Sequence, residues 1–487
     1  MQKLKHKVSE LRHHRHEDGS HHDSSGASVI ELLQHEVLSF PSVAEASDVF
    51  AKRFDNFDKC KVLLIGDGTH GTSEFYTARA EITKYMIEKH GFNIVACEAD
   101  WPDAEAVDRY VRRRGDPAKQ ASIEPQSAAK QAGGEREGVF MRFPTWMWRN
   151  MEVHDFVEWL REHNRGKSVL DADSVGFYGL DLYSLRASMR AVIDYLDQVD
   201  KNMADLARDR YGELMIWAED PKEYGLETLV SGFEGYEAEV VQMLKDLLSK
   251  RIEYSATHWD GVEFHSAEQN ARVVKDAEQY YKVMYYGRRE SWNLRETHWF
   301  ETLVRVLKHR GESAKAVVWA HNSHVGDARA SSKGWARNEL NVGQLCKETF
   351  GDQGAIAVGC STYRGTLAAA ERWGQDMQVM QVQPALSNSY EQLMHATGIK
   401  NFVLDLRERR CSKELREALK EQRLERFIGV IYRPDTERQS HYSFAVLPEQ
   451  FDGLIWFDET RHVGTLEVQQ PPTALGAGET WPFELYL

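Results

Sequence analysis

With 487 residues and 42% hydrophobic content, the chain can bury a large core and, at about 150 residues per domain, has length for two or three domains. No run approaches the roughly 18 apolar residues of a membrane-spanning helix, no apolar stretch at the N-terminus reads as a secretory signal, and a net charge of −15 disfavours nonspecific binding to nucleic acid or an anionic membrane. Five scattered cysteines (Cys60, Cys97, Cys346, Cys360 and Cys411), never in a CxxC pair, are expected as reduced thiols of a cytoplasmic protein.

Residues 1–28 are polar and rich in histidine (His13, His14, His16, His21, His22), a composition expected of a disordered tail. A helix is expected from about Val29. KVLLIG, over residues 61–66, is a short apolar run that reads as a buried strand. The loop DGTHGTSE follows, then a helix over 72–90 with Gly91 as its left-handed stop. FNIVACE is a second buried strand, and Trp101-Pro102 opens another helix with proline in its first turn. Strand, helix, strand, helix at this spacing implies a parallel sheet with crossover helices.

Residues 115–138 are small and polar and read as a long surface loop. RFPTWMWRNMEVHDFVEWLREHN carries apolar residues at helical spacing, and a third strand, VGFYGLD, ends at Asp181. From Ser184 to Lys308 the pattern is helical throughout. Strands resume at AKAVVWAHN, GAIAVGCST and KNFVLDLR, and GVIYR, HYSFAVL and DGLIWFD suggest more, some antiparallel. The expected fold is thus α/β, a mostly parallel sheet flanked by helices, with a helical insertion and a mixed C-terminal part. Its expected units are 44–183, the insertion 184–308, and 309–487.

Ligands of open α/β sheets bind beyond the carboxyl ends of the strands. Asp67 and His70 follow the first strand, Glu98 ends the second, Asp181 the third, and His321 and His324 follow AVVW. On the helix 72–90, Arg79 falls at the edge of the apolar stripe Phe75, Ala78, Ile82, Tyr85 and Met86. A buried guanidinium requires an anionic partner, and Glu98 and Asp67 are the candidates. GxSxG, Walker A and HExxH motifs are all absent, which leaves imidazole and carboxylate chemistry. A neutral histidine held by a carboxylate can take a proton from water, and the resulting nucleophile can attack an ester carbonyl. The alternative is a divalent metal held by His70, Glu98, His321 and His324; the first reading needs no cofactor. Trp101, Trp146, Trp148 and Trp319 flank the expected site, and Glu74, Trp101, Asp181 and Trp319 are the expected substrate contacts. Arg433, His441 and Tyr442 are expected as scaffold.

The segment 66–111, GDGTHGTSEFYTARAEITKYMIEKHGFNIVACEADWPDAEAVDRYV, resembles the signature block of the erythromycin esterase family, as do RFPTWMWRN, GFYGLDLYS, WNLRETHW, VVWAHNSHVGDAR and IGVIYRPDTERQSHY. The resemblance spans roughly residues 60 to 460. It implies an α/β core with a helical insertion and a hydrolase of carboxylic esters, including macrolactones; other family members are labelled as succinoglycan biosynthesis proteins. It also implies His70 as the base that activates water, Glu98 and Arg79 as active-site acid and arginine, and His321 and His324 as the family's histidine pair. The partner implied is a small-molecule ester. Where the family motif carries Glu this chain has Asp67, one methylene shorter.

Overall fold

A computed structural model describes residues 24–57, 59–115, 117–123, 138–218, 221–231, 233–257 and 261–466. Of the expected tail, residues 1–23 lie outside this set, as do residues 124–137 of the expected loop. The helix expected from Val29 begins earlier and spans Ser24–Glu36. Among the described residues no helix is long and apolar enough to cross a membrane.

Eleven strands are present among the described residues: β1 (Leu38–Ser39), β2 (Val62–Asp67), β3 (Ile94–Asp100), β4 (Gly176–Asp181), β5 (Ala316–His321), β6 (Ala355–Ala369), β7 (Gln378–Val382), β8 (Asn401–Asp405), β9 (Arg423–Arg426), β10 (Tyr442–Ala445) and β11 (Gly453–Thr460). The central sheet runs β1-β8-β11-β6-β2-β5-β3-β4, with β7 paired antiparallel to β6. From β11 through β4 the neighbours are parallel, while β8 and β1 close the edge antiparallel. The fold is therefore the largely parallel α/β sheet flanked by helices that the strand–helix alternation implied.

Side chains of the inner strands alternate between two apolar layers, because successive strand residues point to opposite faces. Leu63, Ile65, Val95, Cys97, Val317 and Trp319 join the layer containing Phe75, Ile82 and Met86 of the helix Ser73–His90. Val62, Leu64, Ile94, Ala96, Ala316 and Val318 join the layer containing Trp299, Leu303 and Val306 of the helix Arg288–Arg310. Burial on both faces explains why these strands read as continuous apolar runs rather than as alternating ones. Helices from Leu185–Val199 to Val262–Val283 gather round a further core containing Met189, Val192, Leu196, Tyr211, Leu214 and Val274.

Two helix boundaries follow from single residues. Gly91, at φ 68°, ends the helix Ser73–His90 in the left-handed conformation, and Pro102 stands in the first turn of Trp101–Val111. Of the C-terminal expectations, HYSFAVL and DGLIWFD supply the strands β10 and β11, and only GVIYR needs correction. GVIYR forms no strand, only an isolated bridge from Ile431 to Ala370, while Ile428 just before it bridges Thr69. HYSFAVL supplies β10, but its partner is the polar strand β9, in a two-stranded ribbon apart from the main sheet.

One irregularity positions the site. Cys97 pairs with Gly179 and Asp100 with Asp181, so β3 holds one residue more than β4 between those pairs. This bulge at Glu98–Ala99 re-aims the Glu98 side chain, as bulges beside functional sites do. A Cβ on Gly179 would stand 2.4 Å from the carbonyl oxygens of Ala99 and Asp100, so the bulge requires glycine there.

Candidate active site

Four adjacent strands, β2, β5, β3 and β4, bring Asp67, His321, Glu98 and Asp181 side by side at their carboxyl ends. In the loop after β2, Gly71 has φ 68°, and a Cβ there would meet the Ala368 carbonyl oxygen at 2.2 Å. The Gly71 carbonyl accepts from Ala368 N and Val463 N, and the neighbouring His70 N donates to Ile428 O at 3.0 Å. The loop carrying His70 is thus pinned by segments from the far end of the chain.

His70 Nδ1 lies 3.2 Å from Asp67 Oδ1, and His70 Nε2 lies 3.9 Å from Glu98 Oε1. Behind this pair Arg79 reaches Asp67 Oδ2 at 3.0 Å and packs over the rings of Tyr76 and Trp319. Asp67 is therefore the partner of Arg79 that the helix phase called for. Burial pushes the Asp67 carboxyl up, but Arg79 and His70 outweigh it and hold it below its ordinary value. Although one methylene shorter than Glu, Asp67 still touches both partners.

Glu98 is the hub. Its Oε2 accepts from His321 N at 2.9 Å, while Oε1 lies 3.4 Å from both His324 Nε2 and Arg295 Nη2. Burial would raise this carboxyl, yet His324, His70 and Arg295 hold it well below the usual carboxylate range. Arg295 is fixed in turn by two hydrogen bonds to Asp181, at 3.0 and 2.6 Å, and Trp299 Nε1 donates to the same carboxylate at 3.1 Å.

The two later histidines have opposite electrostatics. His321 Nδ1 contacts Ser323 Oγ at 2.8 Å and its Nε2 contacts Gly68 O at 3.3 Å. Burial, with His70 beside it, lowers His321 to about 3, so its ring is neutral at neutral pH. His324 sits between Glu296, bonded to its Nδ1, and Glu98. Burial opposes its charge, but the two carboxylates prevail and raise it to about 9. A group raised in the folded state stabilises fully below its unfolded value and loses that contribution as pH rises through the folded one. Stability should therefore decline between about pH 6.5 and about 9. The Glu296→Gln variant should flatten that decline in urea titrations, and equal slopes in the two proteins would contradict the assignment.

A cleft of about 990 Å³, including solvent at its mouth, opens above this floor. His70, Glu98, Asp181 and Arg295 line its base, and Phe143, Trp148, Tyr183, Trp292 and Trp373 are among its walls. Of the expected substrate contacts only Asp181 lines it, and its carboxylate is already engaged by Arg295. The expectations for Glu74, Trp101 and Trp319 need correction. Glu74 binds Arg461 at the outer surface. Trp101 is packed against Tyr178 and His265, with its indole N–H on Ser266. Trp319 is fully buried in the layer behind the sheet, bonded to Thr83 and packed on Phe156. Trp146 is buried outside the lining, whereas Trp148 lines the cleft and donates to Glu98 O at 2.9 Å.

Sequence reasoning missed Arg295 and Glu296. Ser291, Trp292, Arg295, Glu296 and Trp299 recur at helical spacing within Arg288–Arg310, and this polar and aromatic stripe is the signal that marks them. His441 accepts from Phe427 N and contacts Arg433 N, outside the cleft. As for the metal alternative, both ring nitrogens of His321 and of His324 are already engaged. Among the described residues no three His, Cys, Asp or Glu side chains are placed to share an ion.

A family model described as erythromycin esterase matches residues 87–460. The erythromycin esterase type II of Escherichia coli is 19% identical over 386 residues, covering 72% of this chain and 84% of that protein. The crystal structure of a succinoglycan biosynthesis protein superposes with a TM-score of 0.72 at 19% identity, covering 91% of this chain and 99% of the other. A mutant of the erythromycin esterase EreC in its open conformation superposes with a TM-score of 0.61 at 14% identity, covering 86% and 96%.

Proposed function

The chain belongs to the erythromycin esterase family, and from that premise we propose that it is a hydrolase cleaving a carboxylic ester with water activated by His70. The observation that carries this reading is the placement of the His70 ring between two carboxylates at the floor of the cleft, 3.2 Å from Asp67 and 3.9 Å from Glu98. With its Nδ1 proton directed to Asp67, the ring presents Nε2 as an acceptor. Water donating to Nε2 attacks the ester carbonyl and gives its proton to His70. The imidazolium so formed lies beside both carboxylates, which favours it electrostatically. As the tetrahedral intermediate collapses, His70 returns the proton to the leaving alkoxide, and an alcohol and a carboxylic acid result, the acid then ionising by releasing its proton to solvent. Every step uses protein groups alone.

A macrolactone is the narrower proposal for the substrate. It is supported by the resemblance and by a cleft whose aromatic walls suit a bulky apolar ligand. Purified protein should release p-nitrophenol from p-nitrophenyl acetate or butyrate above the buffer rate. It should also open a 14-membered macrolactone, gaining the mass of one water. Turnover of the simple esters without ring opening would remove the macrolactone. No turnover of any of these esters would remove the hydrolytic reading itself.

A further inference from the structure

The oxyanion formed during ester hydrolysis needs a preorganised donor. His321 and His324, as the family's pair, are the obvious candidates, but neither ring has an N–H left over. His321 spends its nitrogens on Ser323 and Gly68 O, and His324 spends both on Glu296 and Glu98. The indole N–H groups of Trp148 and Trp292 are likewise committed, to Glu98 O and Leu340 O.

Arg295 differs. Its Nε and Nη2 are held by Asp181, and Nη2 also leans on Glu98. Its Nη1 has no hydrogen-bond partner among the described residues and is not sealed from solvent, although the residue is only 8% exposed. The guanidinium is flanked by the rings of Tyr183 and Trp299, at 4.9 and 4.6 Å, and it lines the cleft. It is therefore a rigid cation with one unspent edge, standing across Glu98 Oε1 from His70. A planar fork anchored at two corners loses little freedom when its third corner binds an oxygen.

The geometry points to Arg295 Nη1 as a carboxylate-binding site of the cleft, holding the carbonyl oxygen as it becomes an oxyanion and then the carboxylate product. This rests on the hydrolytic reading above. When water adds, the carbonyl π pair moves to oxygen and meets the Nη1 proton; when the alkoxide leaves with the proton from His70, the pair returns, and the carboxylic acid so formed releases its own proton to solvent and remains on the same donor as the carboxylate. Asp181 acts through Arg295 and is a positioning residue.

Benzoate is the probe, since it joins a carboxylate to a ring suited to the aromatic walls. Its binding, read by tryptophan fluorescence, should weaken at least tenfold in Arg295→Gln and less in Arg295→Lys. With p-nitrophenyl butyrate, Arg295→Gln should lower kcat by about a hundredfold to a thousandfold and change KM far less. A wild-type crystal soaked in benzoate should place the carboxylate on Nη1, which decides the question even if the variants fail to fold. Unchanged benzoate binding in Arg295→Gln, or a carboxylate seated elsewhere, would overturn the assignment. If the wild type hydrolyses no ester, the hydrolytic reading falls, and the benzoate measurements still decide whether Arg295 holds a carboxylate.

Discussion

Replacing His70 by alanine should reduce ester turnover by about a hundredfold to ten-thousandfold, the range that a lost general base accounts for. The loss should fall on kcat, because the cleft walls that hold the ligand remain in place. The fold should survive. Asp67 keeps its Arg79 partner, Glu98 keeps His324 and Arg295, and the backbone bond from residue 70 to Ile428 does not depend on the side chain. Circular dichroism and a urea midpoint close to the wild type would establish that, and steady-state kinetics would then measure the chemistry. Equal turnover by a folded His70→Ala protein would exclude His70 as the base.

Arg79→Met should instead strike stability. Arg79 and Asp67 are both shut off from solvent and bonded at 3.0 Å. Removing one member of such a pair leaves a buried charge uncompensated, at a cost of about 3–5 kcal/mol. Urea denaturation at pH 7 should show that loss, and adding Asp67→Asn should recover part of it, because no unpaired charge then remains. The pH dependence has a definite sign. The Asp67 carboxyl lies below its ordinary value of 3.8 in the folded protein. The stability it contributes is therefore complete above about pH 4 and disappears as acid takes the solution down through the folded value. A loss below about 1 kcal/mol in Arg79→Met would show that His70 or water suffices to compensate the Asp67 carboxylate.

Arg79 also illustrates what could be read from the chain alone. Its position on the apolar stripe of one helix required a buried anion, and strands ending in Asp67 and Glu98 offered two. Local periodicity carried that inference, so only the choice between the carboxylates awaited the fold. The strand ends were legible for a similar reason: six-residue apolar runs buried on both faces stop abruptly at polar residues. Arg295 was not legible in this way. Its partner Asp181 lies 114 positions earlier, and the two meet only because the helical segment folds back over the sheet. The strand β9 escaped notice because its sequence, RLER, is polar. Arg426 is buried there by groups as distant as Thr362 and Gln383, to whose carbonyls it donates. The histidine pair was visible as residues, but its electrostatics were not, since Glu296 and Glu98 together raise His324 while burial and His70 lower His321.

The strand order has a consequence for how the protein is made. β2, β3 and β4 are synthesised in succession, yet β2 and β3 never touch, because β5 lies between them and leaves the ribosome more than two hundred residues after β3 begins. Until then the nascent N-terminal half exposes two apolar strand edges that would pair readily with each other or with another chain. It also carries Glu98 and Asp181 before Arg295 and His324 exist to neutralise them. The joining of β2 to β3 and the supply of His324 to Glu98 are thereby tied to one late event, the insertion of β5. A chain interrupted before that point is left with the strands of a core and the acids of a catalytic centre, and with neither assembled.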